Sequence, residues 1–147
     1  MKRKIPVRPK ESAMRRLFVL AVVVGLSVVA GASAASSLPR MLSCAGKPLV
    51  RPAGLVVLSC ADANSELSST RWRSWSRSGA VGTTDFGLNL CSPNCAASKI
   101  RFFPNSRVRL SGAKQTKHGL LFDRATVTYV LHGKTKTFVA YLPTRPL

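Results

Sequence analysis

One long apolar run is followed by many short alternating ones. Leu17 to Ala30 carries no charge and little polarity. From Leu55 onward, apolar and polar residues alternate in brief stretches cut by glycine, proline and asparagine. That period of two is the mark of half-buried strands. Leu55-Val56-Val57-Leu58 is continuously apolar, as in a strand buried on both faces. A turn over Ala61 to Ser65 follows. Leu67 to Trp75 then puts Thr70 and Trp72 on one face, and Arg71 and Arg73 on the other. Further on, Phe86, Leu88 and Leu90 alternate with Asp85, Gly87 and Asn89.

Two alternating runs, Lys99–Phe103 and Arg107–Leu110, flank the turn-forming triplet Pro104-Asn105-Ser106, which predicts a hairpin. Its apolar face would carry Ile100, Phe102, Val108 and Leu110, and Lys99, Arg101, Arg107 and Arg109 would share the other. Ser111 to Gly119 reads as a polar loop. In the last pair of strands, Ala125, Val127, Tyr129 and Leu131 share one face, as do Phe138, Ala140 and Leu142 across the turn His132-Gly133-Lys134. No stretch after the apolar run has helical periodicity. Six or seven short strands predict a mainly β fold, a small antiparallel β-sandwich or barrel, and no internal repeat is present.

The N-terminus changes the picture of where this domain resides. Seven cations and one acid, Glu11, precede the apolar run, and Gly31-Ala32-Ser33-Ala34 follows it. A basic segment, a short apolar one and small residues at alternate positions make a secretory signal. Ala32-Ser33-Ala34 places the cleavage before Ala35. Residues 1–34 are therefore expected to be a signal peptide with a helical apolar segment. Residues 35–52 would be a flexible lead-in, and residues 53–147 a single β-rich domain. The rival reading is an uncleaved single-pass anchor with the domain outside, since no charge falls between Arg16 and Arg40. Glycine, alanine and serine dominate the second half of that stretch and Pro39 closes it, which favours cleavage. Met41-Leu42-Ser43-Cys44 faintly resembles a lipid-attachment box, but Arg40 separates it from the apolar run. Both leading readings put the domain outside the cytoplasm.

The whole chain has 147 residues and a net charge of +18. Removal of the signal leaves 16 cations against four acids, a charge of +12. All four cysteines, Cys44, Cys60, Cys91 and Cys95, lie in the mature part. An even number outside the cytosol reads as two disulfides, which a domain this small needs to supplement its core. The shortest loops favour Cys44–Cys60 with Cys91–Cys95, while crossed pairings such as Cys60–Cys91 stay open. Zinc is disfavoured because no Cys-x2-Cys pair occurs.

Candidate chemistry is sparse. The histidines are His118 and His132, and the mature acids are Asp62, Glu66, Asp85 and Asp123. No nucleophile elbow, zinc-protease pair or phosphate-cradling loop is present, and no cofactor motif. A hydrolase would need two of the acids, or Asp62 or Asp123 and a histidine, to converge from separate segments. Asp62-x-Asn64-x-Glu66 has the alternate spacing with which calcium loops begin, but it lacks their glycine and distal glutamate. The favoured reading is a turn in which Asp62 and Asn64 bond their own backbone, and no metal is expected.

Arg71-Trp72-Arg73-Ser74-Trp75-Ser76-Arg77 interleaves cations with aromatics, as polymer-binding surfaces do. Strict alternation puts Trp72 and Trp75 on opposite faces unless a bulge intervenes, leaving one buried and one exposed as a contact. Lys99, Arg101, Arg107 and Arg109, joined by Arg71 and Arg73, would make an anion-binding field outside the cell. Wall polymers and anionic lipid headgroups are the partners of that chemistry, and specific nucleic-acid binding is not expected. The alternative is a structural or protein-partner module centred on Trp75, its charge merely solubilising.

Cys60-Ala61-Asp62-x-Asn64, Trp72-x-x-Trp75 and Cys91-x-Pro93-Asn94-Cys95-Ala96 together resemble a group of uncharacterised small secreted proteins of actinobacteria. The likeness spans roughly residues 44 to 130, with Ala63 standing where that pattern usually has glycine. It implies export and a β-rich domain, and it implies no catalytic residue.

The exported protein is expected to have an intact mass beginning at Ala35, with no thiol alkylated before reduction. A full-length mass in the membrane fraction would establish the anchor instead.

Overall fold

The computed structural model describes residues 37–145; the expected signal helix lies outside them. Eight strands occur in this order: β1 Met41–Leu42, β2 Pro48–Leu49, β3 Val56–Val57, β4 Ser65–Ser76, β5 Gly79–Asn89, β6 Ile100–Thr116, β7 Gly119–Leu131 and β8 Lys134–Tyr141. β1 and β2 form a two-stranded antiparallel sheet. The other six make an antiparallel meander in sequence order from β3 to β8. The fold is mainly β, as the alternation predicted, and no helix occurs among the described residues.

The sheet is strongly curled. Phe86 on β5 and Phe138 on β8 are three strands apart, which in a flat sheet would separate them by about 14 Å. Their ring centroids are 5.3 Å apart. Tyr129 touches Phe86 and Phe103 at 5.2 and 4.7 Å, so these four rings fill the concave side. Val108, Leu110, Ala125 and Val127 are buried alongside them. The two faces expected in the last hairpin are those observed, with Ala125, Val127, Tyr129, Ala140 and Leu142 buried. The strand at Leu55–Leu58 is an edge strand rather than a doubly buried one. Val56 and Leu58 point inward, and Leu55 is exposed.

Three extra residues set the phase of the sheet. β4 carries one near Ser69, where φ is 51°, between Ser68↔Asp85 and Arg71↔Thr83. A second lies between Trp72↔Gly82 and Ser74↔Val81, at Arg73. β6 carries the third, between Ser106↔Thr84 and Phe103↔Phe86. The hairpin expected at Pro104-Asn105-Ser106 is therefore absent. Asn105 takes a left-handed φ of 56° and Ser106 Oγ donates to the Phe103 carbonyl at 2.8 Å, so the triplet makes a bulge within one strand. β5 continues the pairing on both sides of it and prevents reversal. β6 then runs on to Thr116 against β7, and the loop expected from Ser111 to Gly119 shrinks to the turn at Lys117-His118.

Residues 39–52, expected within a flexible lead-in, are attached to the core side through residues 39–42 and Leu49, while Lys47, Pro48, Val50 and Arg51 stay exposed. Pro39, Met41 and Leu42 are buried. Arg40 donates its N–H to the Leu120 carbonyl, and its own carbonyl accepts from Phe122 N–H, both at 2.9 Å. The two indoles complete the attachment. Trp75 Nε1 donates to the Pro39 carbonyl at 2.7 Å, and Trp72 Nε1 to the Pro52 carbonyl at 2.8 Å. Both tryptophans lie on the core side because the extra residue at Arg73 restores their phase, and their rings meet edge to face at 4.8 Å. The disulfides are Cys44–Cys60, which ties this strap to the end of β3, and Cys91–Cys95 in the β5–β6 connection.

Trp75→Phe is expected to lower unfolding free energy by about 2–4 kcal/mol, from a lost hydrogen bond plus a cavity. Trp72→Phe should cost less, because Trp72 is only half-buried. Urea unfolding of both variants measures the difference.

Candidate functional site: a basic outer sheet face

The convex side of the sheet gathers cations from separate strands. Arg71 on β4 pairs with Thr83 on β5, Thr83 with Arg107 on β6, and Arg107 with Thr128 on β7. One step along, Val81 on β5 lies between Ser74 and Arg109. Val108 and Leu110, the alternate residues of β6, are fully buried, so Arg107 and Arg109 project outward. Arg71, Arg73, Thr83 and Arg107 line a shallow depression of about 420 Å³ with Val81, Gly82 and Trp72. Gly82 permits the close approach of β4 there: a Cβ on it would lie 2.6 Å from the Arg71 carbonyl oxygen.

The six cations singled out from the sequence divide. Arg71, Arg73, Arg107 and Arg109 share the outer face. Arg101 does not, because the bulge at Asn105 reverses the phase of β6. It pairs with Leu88 on the core side, at the sheet's open end, its guanidinium 5.6 Å from the Phe103 ring centroid. Lys99 precedes β6. By the same shift Phe102, expected in the core, is 51 % exposed, and Phe103 takes its place inside.

No acid neutralises the outer-face cluster: among the described residues, the single ion pair is Lys114–Asp123, at 2.5 Å. Asp85 lies two positions beyond Thr83 on β5, half-buried and opposite Ser68. Thr83 and Val81 lie between these cations across the strands. The exposed guanidiniums, borne on backbones about 10 Å apart across β5, therefore repel only weakly in water and leave room for an anion between them.

Trp75 is 5 % exposed and Trp72 is half-buried, with both N–H groups engaged internally. The Arg-Trp alternation is therefore not an interleaved surface. Its cations face out and Trp75 faces in, while Trp72, half-buried with its N–H engaged internally, borders the same depression as Arg71 and Arg73.

The Asp62 motif is structural. Asp62 Oδ1 accepts from Asn64 N–H at 3.2 Å, and Asp62 Oδ2 from Asn64 Nδ2 at 2.7 Å, the turn expected there. Sequence reading missed Asn89, the hub of this end. Its N–H donates to the Asn64 carbonyl at 2.8 Å, and its Nδ2 to Asn64 Oδ1 and the Cys95 carbonyl at 2.9 and 2.8 Å. Its Oδ1 accepts from Cys91 N–H at 2.9 Å. Alternation marks Asn89 as solvent-facing, and only the folded loops of both cysteine motifs cover it.

Asp62 and Asp123 lie at opposite ends of the meander, near the start of β4 and the start of β7. Asp123 faces Lys114 near the β6–β7 turn, and His132 is exposed in the β7–β8 turn. His118 offers its carbonyl to an Arg40 guanidinium N–H at 2.7 Å. No cluster of three metal-ligating side chains occurs among the described residues. Nor is any helix among them long and apolar enough to cross a membrane.

No protein-family model, curated protein or solved structure matches the chain. The site is therefore read from its own chemistry.

Ala63 adopts a φ of 52°, a left-handed conformation that costs an L-residue about 1–2 kcal/mol and glycine almost nothing. Ala63→Gly is expected to stabilise the domain by roughly 0.5–1 kcal/mol after the glycine's greater chain entropy is deducted. Asn89→Ala, by contrast, should destabilise it by about 2–3 kcal/mol by leaving buried partners unpaired. Chemical denaturation of the two variants tests both signs.

Proposed function

We propose that the protein is a secreted, non-enzymatic β domain that binds anionic polymers of the cell envelope through the outer face bearing Arg71, Arg73, Arg107 and Arg109. One observation carries this reading: cations from β4 and β6 line a single depression with a hydroxyl, Thr83, between them. Guanidinium groups suit this task because each presents a fixed fork of donors and stays charged at any ambient pH. A rigid sheet holds their backbones at set spacing, so the ordering cost of binding is confined to the exposed arginine side chains. The mature charge of +12 would draw a polyanion toward the surface before contact.

The two disulfides fit an oxidising, extracytoplasmic location. Export itself rests on the N-terminal pattern of basic segment, apolar run and Ala32-Ser33-Ala34.

Affinity for a polyphosphate probe should fall steeply with salt. Four arginine contacts correspond to a slope of log K against log salt of about −3. Arg71→Ala with Arg107→Ala should halve that slope, a reduction of about 1.5, and weaken binding roughly tenfold or more at low salt. Titration at several salt concentrations measures both. Binding indifferent to salt would overturn the reading.

A further inference from the structure

The outer face carries more than cations. Continuing from Arg71, Thr83 and Arg107, the same cross-strand row passes through Thr128 on β7 and Thr137 on β8. The next row continues from Arg109 to Thr126 on β7. The alternate residues Val127 and Tyr129 are buried and Phe138 packs against the core, which puts these threonines on the solvent side. With strands about 4.8 Å apart, Arg71 and Arg107 are about 10 Å apart at the backbone with one hydroxyl between them. A second hydroxyl follows at Thr128. A cation–hydroxyl–cation–hydroxyl row is matched by a chain in which phosphates alternate with hydroxylated carbon units.

Resting on the basic-face reading, we infer that the ligand is a linear polyol phosphate or sugar phosphate polymer lying across the strands. Its phosphodiesters sit at Arg71 and Arg107, and its hydroxyls meet Thr83 and Thr128. The tetrahedral phosphate offers oxygens to donors on both sides, whereas a planar carboxylate is satisfied by a single guanidinium fork. Single-stranded nucleic acid fits less well, because base stacking needs aromatics interleaved with the cations. The exposed aromatics of this face, Phe102 and Tyr141, lie at opposite ends of it, and the Arg124 guanidinium already covers Tyr141, 5.7 Å from its ring centroid. Both indole N–H groups are engaged internally, which leaves no row of free rings among the cations. A lipid surface also fits less well. The exposed Val139 and Tyr141 are neighbours on β8, but the Thr128–Thr137 pair separates them from Val130, so the apolar area is limited to two side chains beside Arg124.

The test compares poly(glycerol phosphate), inorganic polyphosphate and polyglutamate as probes, with phosphatidylglycerol vesicles and a single-stranded oligonucleotide beside them. Thr83→Val with Thr128→Val removes both hydroxyls and keeps the β-branched shape on exposed or half-exposed strand positions. The wild type is expected to prefer poly(glycerol phosphate) at equal charge concentration. The double threonine variant should lose about five- to tenfold of that affinity, as for two hydrogen bonds, and a clearly smaller factor of its affinity for polyphosphate, which has no hydroxyls to meet Thr83 and Thr128. Equal affinity for all soluble polyanions with no effect of the threonine changes would overturn the polyol phosphate inference and leave the basic face standing. Tighter binding to vesicles or to the oligonucleotide would overturn it in favour of that partner. Polyanion binding that survives Arg71→Ala with Arg107→Ala unchanged would remove the basic face itself. Matching far-ultraviolet circular dichroism of every variant excludes misfolding as the cause.

Discussion

The hydrogen bond from Trp75 to the Pro39 carbonyl, which acts together with that from Trp72 to the Pro52 carbonyl, depends on one extra residue in β4 at Arg73. Without it, Trp75 would face solvent and the strap of residues 39–52 would lose its anchor. The strap covers the concave side of a curled, single-layered sheet, whose core would otherwise be open to water on that flank. Met41 and Leu42 contribute buried apolar surface, and the Arg40 backbone ladder to Leu120 and Phe122 fixes their depth. A domain this small gains much from closing such a gap, because its core is limited by surface-to-volume scaling. The Cys44–Cys60 bridge acts on the same segment, restricting the strap in the unfolded chain as well as holding it in the fold.

The same phase change organises the electrostatics. Arg71 faces outward opposite Trp72 by simple alternation, beside Thr83 and Arg107, and the extra residue at Arg73 lets Trp75 return inward without turning these cations with it. The core and the basic face are thus two sides of one register, and the face can hold its cations close because the strands beneath are fastened by aromatic packing and by the strap. At the other end of the sheet the polar residues do structural work. Asn89 joins the Asp62–Asn64 turn to the Cys91–Cys95 loop, so residues that suggest metal binding when read singly are spent on one another. Asp123 is engaged with Lys114. The outward arginines therefore make no ion pair within the described residues, and Asp85 and Glu66 on the same face stay outside contact distance.

The strand content, the two faces of the last hairpin, the opposite orientation of Thr70 and Arg71, and the turn at Asp62 were all legible from alternation and turn chemistry. These are local properties, dictated by the pleat and by short side chains reaching their own backbone. Shortest-loop pairing of the cysteines also agrees with the disulfides formed. Pro104-Asn105-Ser106 was not legible. A turn triplet and a bulge use the same residues and the same left-handed asparagine, and only pairing with β5 decides between them. From that one residue followed the exchange of Phe102 for Phe103 in the core and the separation of Arg101 from Arg107.

By itself, the sequence determined that the chain beyond its apolar run is strongly basic, has two disulfides' worth of cysteines and is built from alternating strands. Composition and a period of two suffice for each of these. Which cations share a surface was decided only by the tertiary structure. Side-chain direction in a strand inverts with every inserted residue, and an inserted residue is tolerated or refused by the neighbouring strand, not by the segment that contains it.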